Sequence, residues 1–131
     1  MKARKIAPSH TDARGSIADI MFKEPVDHIA VISSNKGAVR ANHYHKETIQ
    51  WIYLLSGRLK SVTRREGEAP ISLVMEPGDL IRTDAGEHHA ICALEDALFF
   101  VFTRGPRGGE NYESDTFRLE TPLIPYPEKL P

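Results

Sequence analysis

An all-β fold, a sandwich or barrel of short strands, is what this sequence predicts, and three observations predict it. About eight or nine apolar, β-branched runs are separated by Gly, Pro, Asn and Asp turn clusters at close spacing. Nowhere do about ten consecutive residues carry a helical period with a cap and a stop, a single turn in the tail aside. Two runs, IQWIYLLS (49–56) and ALFFVFT (97–103), are apolar on both faces, as strands covered from both sides are.

Length and charge narrow the function. At 131 residues the chain reads as one domain, 1–131, with a core at about 15–104 between an amino-terminal arm and a Pro-rich carboxy-terminal tail. Seventeen Lys and Arg balance 18 Asp and Glu, so no field of one sign draws in nucleic acid or an anionic membrane. The single cysteine, Cys92, cannot close an intramolecular bridge, and reads as a small buried apolar side chain. MKARKIAPSH carries no apolar leader, and no uncharged run is long enough to span a bilayer. The expectation is a cytoplasmic protein.

In chain order, the first eight or so residues read as a loose arm closed by Pro8, and TDARGSI supplies a turn before a strand over 17–22. VDHIAVIS (26–33) is a second strand, ended by SSNKG, where Asn35 and Gly37 suit a tight reversal. From Val39 to His45, alternation places Val39, Ala41, His43 and His45 on one face, with Arg40, Asn42 and Tyr44 on the other. In IQWIYLLS, Gln50, Ile52 and Leu54 share one side while Trp51, Tyr53 and Leu55 share the other. Residues 58–65 form a cation-rich, more exposed strand; 71–75, 80–83, 89–93 and 97–103 complete the set. Gly105, Gly108 and Gly109 lack the Gly-Lys-Ser/Thr of a phosphate loop, and four prolines in the last ten residues favour an extended strap or a free arm.

The chemistry gathers on histidines. His43 and His45, one residue apart on a strand, aim their imidazoles together. A Gly-punctuated block, GDLIRTDAGEHH (78–89), supplies a third; because neighbouring strand residues face opposite ways, either His88 or His89 points inward, with Ile91 and Ala93 on the His89 face and Cys92 on the other. His10 and His28 have no such context and read as surface or satisfied core residues.

These spacings resemble the two motifs of the cupin family: Gly37, five residues, His43-x-His45, Gln50 and Gly57; then Gly78, Asp84, Gly86, His89 and Ala93. The resemblance implies a double-stranded β-helix (jelly-roll) barrel holding a divalent transition metal such as Zn, Fe, Ni or Mn, and it selects His89 over His88. Its metal ligands are His43, His45, Gln50 and His89. Gln50 stands where the family has a glutamate; Glu47 is the nearest carboxylate that could substitute, and is read as a solvated loop residue. Asp84 and Ala93 replace a proline and an asparagine. Three imidazoles and an amide oxygen suit a borderline metal and leave its charge to an anionic or carbonyl-containing small molecule. The implied enzymes are dioxygenases, isomerases or lyases.

A narrower resemblance, carried by DARGSI, VRANHYHKETIQ and ENYESDTFR, is to cupin enzymes of nucleotide-sugar metabolism, the ketoisomerases and the cupin domain of capsule-synthesis reductases. It implies a metal-free isomerase or epimerase in which His43 or His45 shuttles a proton. A non-enzymatic small-ligand binding module is the third expectation. The apolar outer face of Trp51, Tyr53 and Leu55 predicts a homodimer, and Arg40, Tyr53, Arg58 and Phe102 are expected at the barrel mouth.

Overall fold

Runs of β-branched and aromatic residues, punctuated by turn-forming glycines, pair antiparallel throughout. The computed structural model describes residues 1–106 and 114–127. In chain order its strands are β1 (Lys2–Lys5), β2 (His10–Asp12), β3 (Gly15–Ile17), β4 (His28–Ser34), β5 (Val39–Tyr44) and β6 (Ile49–Ser56). There follow β7 (Leu59–Arg64), β8 (Ile71–Met75), β9 (Asp79–Thr83), β10 (His88–Ala93), β11 (Ala97–Arg104) and β12 (Phe117–Arg118). One five-stranded sheet has the order β1-β9-β6-β11-β4, the other β12-β5-β10-β7-β8, and β2 and β3 form a separate hairpin. The architecture is the all-β jelly roll that the sequence predicts, and no helix among the described residues is long and apolar enough to cross a membrane.

The core lies between the sheets. Ile52, Leu54 and Phe99 from one sheet meet Leu59, Met75 and Ile91 from the other. Phe99, Leu54, Leu59 and Met75 are all fully buried. Burying each such side chain contributes about 1.5–3 kcal/mol. The tight turn after β6 depends on Gly57, whose φ is +85° and whose added Cβ would lie 2.2 Å from the Asp96 carbonyl oxygen. Gly57→Ala is therefore expected to destabilise the fold by about 1–3 kcal/mol, read as a lowered urea midpoint.

Three local expectations are corrected. The amino-terminal residues do not form a loose arm: Lys2–Lys5 is an edge strand paired to β9. No strand occupies 17–22; Ile17 ends the β2-β3 hairpin and the chain to Asp27 is irregular, because Pro25 and a Lys23 with φ +55° interrupt pairing. Strand β7, expected to be exposed for its cations, is interior to its sheet and buried at Leu59, Ser61, Val62 and Thr63, with Ile124 from the tail packed against Val62.

Trp51 and Tyr53, on the outer face of β6, also find their cover within the chain. Trp51 is 4% exposed beneath Ile6, Ile20, Met21 and Val26, with Arg82 and Arg104 over its ring. What stays open on that sheet is Leu55, near the end of β6, together with Ile29, Val31 and Leu98.

Candidate metal centre

Register brings the predicted residues together. Across the second sheet, His43 of β5 pairs with His89 of β10, which pairs with Thr63 of β7. Across the first, Gln50 of β6 lies between Thr103 of β11 and Thr83 of β9. Residues directly opposite in an antiparallel pair share a face, so each row offers its side chains to the interior together. His45 follows just beyond β5. The three imidazoles converge, with centroids 4.8 Å apart for His43 and His45, 4.7 Å for His43 and His89, and 5.1 Å for His45 and His89. All three are buried, and one ligand atom from each lies within 4.8 Å of the others.

A bulge makes this convergence possible. Ala90 pairs with Ala41 but His89 with His43, so β5 carries one extra residue, and Ala41 and Asn42 sit at φ +72° and +56°. The expected alternation is therefore broken. Val39 packs with Ala90 and Cys92 on the outer side, while Arg40 lies opposite the inward Ile91 and lines the cavity above the histidines. Left-handed backbone at two consecutive residues costs about 1–3 kcal/mol each unless the surroundings fix it. The tail fixes it. Asn42 Nδ2 donates to the Ile124 carbonyl (2.9 Å), and its Oδ1 accepts from the N–H groups of Leu123 (2.9 Å) and Ile124 (3.2 Å).

Two ring tautomers follow from their partners. His45 Nδ1 is 2.7 Å from the Asp115 carbonyl oxygen and His89 Nδ1 is 3.1 Å from that of Glu87. A carbonyl only accepts, so each Nδ1 carries the proton and the lone pair of the neutral ring is on Nε2. Backbone carbonyls orient metal-ligating histidines in the same way. Gln50 is buried, and its Oε1 has no hydrogen-bond partner among the described residues, the kind of orphan acceptor that a cation or a donor ligand would satisfy.

Asp115, absent from the expected site residues, holds both His45 and the link that follows it. Its carboxylate accepts from the N–H groups of Lys46, Glu47 and Thr48 and from the Thr48 hydroxyl, all at 2.8–2.9 Å, while its carbonyl holds His45. Burial alone would push this carboxyl up, but the hydrogen bonds from Glu47, Lys46 and Thr48 outweigh it and hold the group below its usual 3.8. It lies in the ENYESDTFR stretch that carries the narrower resemblance, but nothing in that stretch marks its role, because its partners are 67–70 residues away.

The remaining expectations divide. Glu47 is exposed, as a loop residue. His88 lies outside the cluster, stacked on Tyr44 at 5.0 Å, and accepts a hydrogen bond at Nδ1 from Arg64 (3.3 Å). His10 is exposed and pairs with Asp12; His28 is half-buried at the start of β4. Of the four residues expected at the mouth only Arg40 lines the cavity. Tyr53 and Phe102 pack in the outer cluster and Arg58 pairs with Glu76, since a register one residue different puts a side chain on the opposite face. Residues 107–113, which hold Gly108, Gly109 and the first four residues of ENYESDTFR, lie outside the described residues, as do 128–131.

A family model described as "Cupin domain" matches residues 30–102, which contain most of β4, all of β5 to β10, most of β11 and the whole histidine cluster. The chain belongs to the cupin family. One curated relative, oxalate decarboxylase OxdC of Bacillus subtilis, is 33% identical over 95 residues, 72% of this chain; the chain spans only 24% of that relative's length. The sugar 3,4-ketoisomerase QdtA from Thermoanaerobacterium thermosaccharolyticum, solved in complex with TDP, superposes with a TM-score of 0.74 at 16% identity, covering 91% of this chain and 88% of that one. The dTDP-4-dehydrorhamnose 3,5-epimerase from Sulfolobus tokodaii superposes at 0.69 with 20% identity, covering 82% and 70%. These likenesses show the cupin fold. The cluster of His43, His45 and His89 can hold a metal ion.

Proposed function

We propose that this cupin binds a divalent transition metal through His43, His45, His89 and the amide oxygen of Gln50, and uses the site to bind or transform a small anionic or carbonyl-containing metabolite. The observation that carries the reading is the convergence of three buried imidazoles, two with their lone pairs on Nε2, beside a Gln50 Oε1 that has no partner among the described residues. Such a donor set fits Zn, Fe, Ni or Mn. When bound, the metal would polarise a carbonyl or hydroxyl oxygen of the ligand. The chain's own part is to orient the rings through Asp115 and Glu87, and to shield the site with apolar walls. All four donors are neutral, so the ion's charge calls for an anionic partner.

A second reading, a metal-free nucleotide-sugar isomerase or epimerase with His43 or His45 as acid and base, is supported by the superposition on QdtA and by Gln50 in place of the family's glutamate. Elemental analysis of purified protein separates the two: a stoichiometric transition metal supports the first, while its absence together with a thermal shift from thymidine diphosphate supports the second. We further propose a homodimer joined over Ile29, Val31 and Leu98, which are 58%, 60% and 39% exposed. A monomeric mass in light scattering at micromolar concentration would remove it.

A further inference from the structure

Resting on the reading that the barrel binds a small molecule, we infer that Arg118 is the residue that anchors the anionic end of that ligand. Strand β12 adds Arg118 to the edge of the second sheet directly opposite His43, so its side chain belongs to the same inward row as His43 and His89. Its neighbour Phe117 pairs with Tyr44 and takes the other face, where the two rings stack at 5.4 Å. The alternation thus points Arg118 at the cavity independently of any ligand.

That cavity, about 270 Å³, has His43 and Gln50 on its floor and Ile52, Phe99 and Val101 on its walls. At the rim stand Arg40 and Arg118, and no Asp or Glu is among the described residues that line it. The two arginines differ. Arg40 is committed to the protein, with Nε donating to the Ser34 hydroxyl (2.7 Å) and an Nη to the Ser33 carbonyl (3.1 Å). The guanidinium of Arg118 makes no hydrogen bond or ion pair among the described residues. The groove on the far side of Arg118 offers it no comparable field, because there Lys46 and Arg64 are balanced by Glu66 and Glu120.

An unbalanced guanidinium above a small apolar cavity recognises a carboxylate or phosphate by paired, charge-assisted hydrogen bonds. The volume lies just below the range of about 300–1,000 Å³ that encloses drug-sized ligands, so the cavity takes a small acid whole, or only the sugar of a larger ligand. In the second case the phosphates would sit at the rim. Both cases place the negative group at Arg118 and the neutral part toward His43 and Gln50.

The test uses two pairs, each an anion with a neutral analogue, lactate with lactamide and thymidine diphosphate with thymidine, titrated calorimetrically into wild type, Arg118→Ala, Arg118→Gln and Arg118→Lys. Each protein is measured as purified and after chelator treatment. The expected result is that wild type prefers the charged member of at least one pair. Arg118→Ala and Arg118→Gln should each weaken that member by about ten- to a hundredfold, with Arg118→Lys recovering part of the loss. The neutral members and the metal content should be unchanged. Which pair responds tells a carboxylate from a phosphate. Equal affinity of wild type and Arg118→Ala for the charged members overturns the assignment, as does a wild type that prefers neither charged member or binds neither. A preference that depends on Arg118 yet persists in protein without metal upholds the anchor and sinks only the metal reading.

Discussion

His89→Ala is expected to abolish stoichiometric transition-metal binding and, with it, the stabilisation that metal gives the fold. His89 is 3% exposed, sits opposite His43 in the sheet, and has its ring set by the Glu87 carbonyl. Without it, two imidazoles and an amide remain, too few neutral donors to hold a borderline metal against water. The affinity loss should exceed the roughly 10–100-fold that follows when only a group supporting a ligand is removed. At a free metal concentration of about 100 Kd, binding stabilises the folded state by about 2.7 kcal/mol, so wild-type Tm should fall on chelation while that of the variant does not move. Comparing the two proteins after chelator treatment isolates the separate packing cost of the lost ring. Metal retained at full stoichiometry by His89→Ala, or wild type purified without metal, would sink the proposal.

Asp115→Asn carries the second large effect, and acts from outside the cluster. The carboxylate is 4% exposed and is the shared acceptor for three backbone N–H groups and one hydroxyl in the 46–48 link. An amide cannot accept at both positions: its NH2 would face an N–H. We expect a loss of about 2–4 kcal/mol in urea unfolding at neutral pH. Because Asp115 is held below its ordinary 3.8, its stabilisation is fully present above that value and is lost as pH falls through the folded-state value. Asp115→Asn should therefore lose less stability than wild type on moving from neutral pH into that acidic range. As the Asp115 backbone also holds His45, the variant should bind metal about 10–100-fold more weakly, read by competition with a chromophoric chelator. A stability within about 0.5 kcal/mol of wild type would mean that the link stands without its clamp.

Much of this molecule is visible in its residues because the signals are local. Strands β4 to β11 follow apolar runs bounded by turn residues, and a period-two pattern reports a half-buried strand whatever it packs against. The inward set His89, Ile91 and Ala93 and the outward Cys92 were legible by the same rule. The rule failed at Val39–Asn42, since one bulged residue reverses every face before it and nothing in VRAN marks it. It failed also for β1, whose charged Lys-Ala-Arg-Lys run has no apolar pattern and is held as an edge by backbone pairing alone.

Residue type and separation along the chain are enough to read the all-β class and the paired histidines, and the cupin motif spacing adds His89 as the third. Tertiary structure alone decided that the three rings converge beside Gln50, that Asp115 and Asn42 tie the tail to the site, and that Arg118 rather than Tyr53 or Arg58 stands at the mouth. The reason is physical. Strand periodicity tells which residues share a face, but register and bulges decide which face it is and what lies across from it, and these are set by hydrogen bonds between segments as far apart as Asn42 and Ile124.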